Sequence, residues 1–183
     1  MVKLALSLVA LAMTGSVAAA PAPGGATPAV SGTTFSFEAW VEDIIAHPDT
    51  ALTVDEALAA AEAADAVGSA GGLVKRATCG PSRWTRANGR DATACVDDLA
   101  RKGNNGVMCT IPKNKLEIQM CQIRNAEVVG IKHGLAHKQG ANCNAIARTV
   151  GRVFDRCWRA DDTVSGSAYC VTNNNINVAI KGA

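Results

Sequence analysis

The sequence predicts an α+β fold in which two helices pack on one face of a mainly antiparallel, disulfide-stapled sheet, preceded by a helical pro-segment. Three observations carry this prediction. All seven cysteines lie within residues 77–183, two segments there show helical periodicity with cysteines on the apolar side, and the remaining segments alternate apolar and polar residues as strands do. The order of helix, three strands, helix and two strands favours helices layered on one side of an antiparallel sheet.

The longest helix is predicted to begin after Asn142, a good N-cap residue, and to include Cys143 and Cys157 on an apolar face. At about 100° of rotation per residue, four arginines fall on roughly the opposite side. We predict that these arginines form a binding face for an anionic component: Arg148, Arg152, Arg156 and Arg159. The alternative is a solvated helix face, on which the aliphatic parts of the arginine side chains cover the edge of the core. The sequence by itself favours this alternative, and the binding face is its best candidate for a functional surface.

The other elements of the body follow from turn and periodicity signals. Residues 77–90 are predicted to be irregular, and Asp91 to cap a helix that continues to Lys102. Three strands are expected next, over residues 107–111, 116–121 and 127–132. A final hairpin is expected to join residues 164–171 to residues 176–180 through a turn at Asn173–Asn175.

The N-terminal region is predicted to be removed in two stages. Residues 1–20 have the charged start, apolar centre and small-residue end of a signal peptide, so we expect an extracellular, secreted product. No later apolar run in the sequence approaches the length of a membrane span. Residues 21–76 then form a pro-segment ending in Lys75-Arg76, which fits a dibasic-specific Golgi processing protease.

We call residues 21–76 the leader and residues 77–183 the body. Before the dibasic pair the leader holds eight carboxylates and no lysine or arginine, whereas the body holds fifteen lysines and arginines and eight carboxylates. Two leader helices are predicted, one striped by apolar residues from Phe37 to Ile45 and ending before Pro48, and one opened by a Thr53/Glu56 capping box. Such a pair buries little alone, so it is either disordered or rests on something else. Opposite charge favours docking on the body.

In an exported chain, the cysteines predict a disulfide framework rather than a metal site. Cys143 and Cys157 lie about 21 Å apart by helical rise, so each must bond to a different element. The candidates are Cys79, Cys95, Cys109, Cys121, Cys143, Cys157 and Cys170. Seven is odd, so one thiol stays free or forms an intermolecular bridge, which would give a disulfide-linked dimer. The connectivity is left open.

Two stretches carry a family resemblance: ARTVGRVFDRCWRADDTVSGSAY with NINVAIKG near the C-terminus, and FEAWVEDIIAHPDTALTVDEALAAAEAA with KR in the leader. They resemble small cysteine-rich secreted proteins of filamentous fungi. The order of elements weakly resembles the fungal killer-toxin-like and necrosis-inducing extracellular effector families. The resemblance implies a secreted virulence or toxin-like protein.

Evidence for catalysis is thin. An enzyme of ribonuclease type would draw on Glu117, Glu127, His133 and Arg124, but nothing in the sequence fixes them in one pocket. His133 and His137 have H-x-x-x-H spacing in a glycine-flanked loop, which fits two loop histidines better than a metal pair. We expect no cofactor and no metal, and we favour a non-enzymatic protein.

The sequence therefore predicts a secreted effector or toxin-like protein that acts by binding at a host or competitor cell surface. Its partners would be an anionic surface component or a protein receptor, together with the processing protease. Few aromatic residues are available to stack on bases, which makes nucleic acid a poor candidate. A small secreted hydrolase and a cell-wall-associated structural protein are the alternatives.

Overall fold

Five antiparallel strands form the main sheet of the body, in the order β1-β8-β9-β5-β4. The structure is a computed structural model, and it describes residues 35–66, 77–81, 84–134 and 137–183. The strands of this sheet are β1 (Ala77–Cys79), β4 (Glu117–Ile123), β5 (Ala126–Lys132), β8 (Gly166–Cys170) and β9 (Asn173–Gly182). Two small two-stranded sheets flank it, made of β2 (Ala87–Asn88) with β7 (Thr163–Val164) and of β3 (Met108–Ile111) with β6 (Gln139–Asn142). The predicted signal peptide and the Lys75-Arg76 pair lie outside the described residues.

Four helices accompany the sheets: α1 (Phe37–Ala46), α2 (Val54–Ala66), α3 (Gly89–Asn104) and α4 (Cys143–Cys157). The body helices α3 and α4 pack on the sheet, so the predicted α+β class is confirmed. Asn142 caps α4 as predicted, with its side chain accepting a bond from the backbone N–H of Asn144 at 2.8 Å. At α3 the prediction was wrong by one turn, because Asn88 is the N-cap and Asp91 lies inside the helix.

Two other predicted features of the body require correction. Residues 77–90 are not irregular throughout, since β1 pairs with β8 and β2 with β7. The final hairpin turns at Val171 and Thr172 rather than at Asn173–Asn175, which belong to β9. The turn lies there because Cys170 of β8 pairs with Asn173, which makes Asn173 the first residue of the ten-residue β9.

Three disulfide bonds tie the helices of the body to strands. Cys79 of β1 bonds to Cys157 at the end of α4, Cys95 of α3 to Cys121 of β4, and Cys109 of β3 to Cys143 at the start of α4. Cys143 and Cys157 therefore reach different strands, as their separation along the helix predicts.

All seven cysteines lie within the described ranges, and Cys170 is the one left unbonded. It is fully buried, and its sulfur lies 3.7 Å from the Thr172 hydroxyl. An intermolecular bridge through this thiol would require local opening of β8, so the disulfide-linked dimer stays a prediction without support from the fold.

The two leader helices rest on the body. The capping box that opens α2 is confirmed, because the Glu56 carboxylate accepts bonds from both the backbone N–H and the hydroxyl of Thr53, each at 2.8 Å. Those bonds hold the pKa of Glu56 below its usual range. The apolar stripe of α1 joins the same core cluster as α3 and α4. The body helices are thus enclosed between the sheet on one side and α1 on the other. No helix in the described ranges has the length and apolar character needed to cross a membrane.

Candidate binding face on the long helix

The four arginines of the predicted binding face divide into two pairs. Arg148 and Arg152 are half-buried and meet glutamates of α1, whereas Arg156 and Arg159 are exposed. The prediction that Arg159 lies on the long helix was wrong, because α4 ends at Cys157 and Trp158 is its C-cap. Arg148 grips Glu42 with both Nε and Nη2, the Nη2–Oε2 distance being 2.9 Å. Arg152 donates from Nε to Glu38 Oε1 at 2.6 Å. Half of the predicted face is therefore already covered by an acidic segment of the same chain.

The two ion pairs fix the direction of α1. Glu38 and Glu42 are one turn apart on α1, and Arg152 and Arg148 are one turn apart in the reverse order on α4, so the helices run antiparallel. The Glu42 carboxylate holds the pKa of Arg148 above its usual range, chiefly through their hydrogen bonds. Because the side chains of both pairs keep contact with solvent, we expect each pair to contribute at most about 1 kcal/mol. The ion pairs therefore set the orientation of α1 but contribute little to the free energy of its docking.

Asp155 binds the N-terminus of α1. Its carboxylate accepts hydrogen bonds from the Ser36 hydroxyl at 2.8 Å, from the backbone N–H of Phe37 at 2.6 Å and from that of Glu38 at 3.2 Å. The two backbone N–H groups are donors that the first turn of a helix leaves unsatisfied, and the helix dipole favours an anion there. Burial beneath α1 nevertheless raises the pKa of Asp155, because desolvation outweighs the three hydrogen bonds.

Aromatic rings fill the space between α1 and α4. The Phe37 ring centroid lies 4.5 Å from that of Phe154 and 5.3 Å from that of Trp158. Phe154 and Trp158 stack on each other at 5.5 Å. Phe37 is only 3% exposed and Phe154 is fully buried, so these contacts remove apolar surface from water and dominate the attachment.

A glycine in the middle of α4 sets how closely α1 approaches. A Cβ atom at Gly151 would lie 3.0 Å from both the Cα and the N of Glu38. That is tighter than ordinary packing, so α1 occupies the space that any other residue at position 151 would fill. Gly151 is an unfavourable residue inside a helix, and this close approach gives its presence a structural reason.

Residues of α3 bind the C-terminal end of α1. Asn104 donates from Nδ2 to the backbone carbonyl of Ile44 at 3.0 Å, and Arg101 donates from Nη1 to that of Pro48 at 3.0 Å. Arg90 pairs with Asp55 of α2. Body residues therefore contact both ends of α1. We call the surface that receives α1 the leader groove, defined by Asn104, Arg148, Gly151, Arg152, Phe154, Asp155 and Trp158.

Sequence reasoning found the arginines but missed the residues that decide the fit. Asp155 and Phe154 were not among the predicted site residues. The mid-helix glycine was the available signal, because a glycine flanked by good helix formers indicates a close approach. Arg86, a further cation near the end of α4, donates to Thr163 and to the Cys157 carbonyl.

The residues considered for catalysis are not gathered in one place. Glu117 pairs in register with Ile131, which is four residues from Glu127 on β5, so the two glutamates lie about 13 Å apart along the β4–β5 pair at 3.3 Å per residue. Glu127 forms an ion pair with Lys181 at 2.7 Å. Arg124 Nη1 lies 3.9 Å from Asp91 Oδ1, so this arginine pairs with a residue of α3.

The two histidines sit at the edge of the body. The His133 ring lies 6.1 Å from the Tyr169 ring, and the His137 carbonyl accepts a bond from the ammonium of Lys132. Within the described ranges, no group of three His, Cys, Asp or Glu side chains is placed to hold a metal ion.

Comparison with known families gives one match. The model of a family described as a domain of unknown function, DUF8794, covers residues 74–182. The chain belongs to this family. The DUF8794 domain coincides with the body and leaves α1 and α2 outside its bounds. Neither a curated protein nor a solved structure matches the chain.

Proposed function

We propose that the chain is the precursor of a secreted, non-enzymatic binding protein of effector or toxin type. In this proposal the signal peptide is removed first, the leader is released after Lys75-Arg76, and the body then binds a host or competitor cell surface. The fungal families resembled in sequence are the source of the toxin-like part of this proposal.

One observation carries the proposal: the basic face of α4 is occupied by an acidic helix. Glu38 and Glu42 neutralise Arg152 and Arg148, while Phe37 covers Phe154 and Trp158. A face that binds one acidic, apolar segment has the chemistry to bind another. The start of the family match at residue 74 supports a body that is a unit apart from the leader.

Surface binding tests the proposal directly. The full secreted chain is compared with the same chain cleaved after Arg76 and freed of its leader, each labelled and applied to plant cells and to competing microbes. We expect the cleaved protein to bind and the intact chain to bind much less, because α1 covers Arg148, Arg152 and the aromatic pair. Equal binding by both proteins would contradict a role for this face.

The hydrolase alternative is tested on the same two samples. Turnover of RNA or polysaccharide that disappears in His133→Ala would replace the binding proposal with an enzyme. Retention in isolated cell walls, with no binding to living cells, would favour a structural protein. Arg148→Ser with Arg152→Ser and Arg156→Ser is expected to weaken cell binding by the cleaved protein without unfolding it.

A further inference from the structure

We infer that the leader groove is a recognition site for an acidic amphipathic helix of a partner protein, and that α1 is a tethered competitor for the same site. This inference rests on the proposed function, since it names the kind of partner that a binding body would engage. It concerns a groove that is filled in this structure by a segment on the far side of the predicted cleavage site.

The spacing of the buried residues on α1 supports helix recognition. Phe37, Trp40, Val41 and Ile44 stand at positions i, i+3, i+4 and i+7, and each is 3% exposed or less. This is the anchor pattern of an amphipathic helix lying in an apolar groove. Glu38 and Glu42 add two carboxylates, one turn apart, that face the arginines of the groove.

The groove also forms hydrogen bonds with backbone groups that are free only at the two ends of a helix. Asp155 accepts the free N–H groups of Phe37 and Glu38 at the first turn, and Asn104 donates to the carbonyl of Ile44 in the last turn. The distance between these two contacts corresponds to a helix of about two turns, or about 11 Å. A polysaccharide or a lipid headgroup supplies negative charge but no such pair of termini, so the contacts favour a protein partner.

In this inference, cleavage at Lys75-Arg76 controls access to the leader groove. While the leader and the body belong to one chain, this covalent tether makes α1 an intramolecular ligand of the groove, with an advantage over a separate helix of equal affinity. Cutting at Lys75-Arg76 leaves every contact in the groove unchanged but removes the tether. Dilution then releases the leader, and a partner helix of higher affinity displaces it.

A peptide exchange experiment tests the inference. The probe is a dye-labelled peptide with the sequence of residues 35–66, and binding is followed by fluorescence anisotropy. The wild-type chain is expected to bind little probe because its groove is full. The full chain carrying Trp40→Asp and Ile44→Asp, which disrupts α1 and leaves the groove intact, is expected to bind the probe in one-to-one stoichiometry.

Matched controls locate the binding in the groove. Adding Gly151→Leu to the opened chain is expected to weaken probe binding about tenfold or more, because the leucine fills the space that α1 needs. A probe with Glu38→Lys and Glu42→Lys is expected to bind more weakly than the original. Lys138→Gln in the opened chain, an exposed cation away from the groove, is expected to change nothing.

Some results would overturn the inference. An opened chain with three intact bridges and native circular dichroism that does not bind the probe would do so, as would binding insensitive to Gly151→Leu. If the opened chain does not fold, wild-type chain cleaved after Arg76 replaces it. Failure of the cleaved protein to exchange its own leader for the probe then counts against the inference.

The outcomes also separate this inference from the proposed function. Probe binding without cell binding leaves the helix site standing and removes the proposed function. Cell binding without probe binding keeps the function and removes the helix site.

Discussion

The two sides of α4 are held in different ways. On the side of the sheet, disulfide bonds fix both ends of the helix, through Cys143 to β3 and through Cys157 to β1. On the side of the leader, α1 is held by aromatic packing, two ion pairs and hydrogen bonds to Asp155. Covalent bonds stop where the predicted cleavage begins. No disulfide bond in the described residues joins the leader to the body, so the proposed removal of the leader would break none of the three bridges.

The largest expected effect comes from removing the bond between Cys79 and Cys157. It closes the longest loop, 78 residues, so the loop-entropy relation gives a loss of about 4.5 kcal/mol in the free energy of unfolding, against about 3.5 kcal/mol for the 26-residue loop of Cys95–Cys121. Urea unfolding of the two double alanine variants measures the difference. Cys170→Ala is the control for loss of a buried thiol without loss of a bond. An equal loss in both double variants would contradict the ranking.

The next effect concerns the leader alone. Phe37→Ala removes a ring packed against both Phe154 and Trp158, and we expect it to lower the free energy of opening of α1 by about 3 kcal/mol. Hydrogen exchange of α1 amides is expected to accelerate strongly, while that of β5 and β9 stays unchanged. Leu116→Ala, which shortens an apolar side chain that is half exposed on the body, is the control. Equal acceleration in sheet and leader would show that α1 and the body unfold together.

A smaller effect is the pH dependence of docking. The causes that shift the pKa of Asp155 are burial and groups of α1, so undocking returns this pKa towards its usual value of about 3.9. The docked state has the higher pKa and binds the proton more tightly, so the contribution of Asp155 favours docking at low pH. It is fully present below about pH 3.9 and is lost as the pH rises through the docked pKa.

The two glutamates of the ion pairs are replaced in the test so that the profile reports Asp155, whose pKa the charge of Glu38 also raises. In a chain with Glu38→Gln and Glu42→Gln, docking is expected to weaken from pH 4 upwards until the docked pKa has been passed, as measured by exchange of α1 amides corrected for intrinsic rates. Asp155→Asn in the same background is expected to flatten the profile. A profile of opposite slope would contradict the assignment.

The smallest effect is expected at the arginines. Arg148→Gln and Arg152→Gln are each predicted to weaken docking by at most about 1 kcal/mol, because the pairs are partly exposed. Raising the salt concentration is expected to reduce the difference from wild type. Lys138→Gln serves as the control for an exposed cation. A loss much greater than 1 kcal/mol would mean that charge, rather than apolar packing, holds the leader.

Strongly periodic segments allowed most of the fold to be predicted. The striped helix from Phe37, the helix capped by Asn142 and the strands near residues 107–132 all appear in the structure. The strands β1, β2 and β6 were missed because each has two to four residues and forms only through a partner distant in the chain. The Asn173–Asn175 run misled because turn residues also occur in strands when neighbouring strands pair with them.

The candidate site was predicted only in part for a related reason. Charge composition indicated that an acidic leader docks on a basic body, and the arginine positions followed from helical geometry. The depth of the contact did not follow, because Gly151 and Asp155 gain their roles only when a second helix lies across them. A pattern within one helix does not tell which side another helix will cover.

The contacts of Trp158 with Phe37 and Phe154 make its fluorescence sensitive to whether α1 is docked. Indole emission shifts to longer wavelength when water reaches the ring, and departure of Phe37 uncovers Trp158 in the same step that carries Trp40 away. Release of the leader is therefore expected to shift the tryptophan emission of the unlabelled protein to longer wavelength, so that fluorescence can follow the release in time.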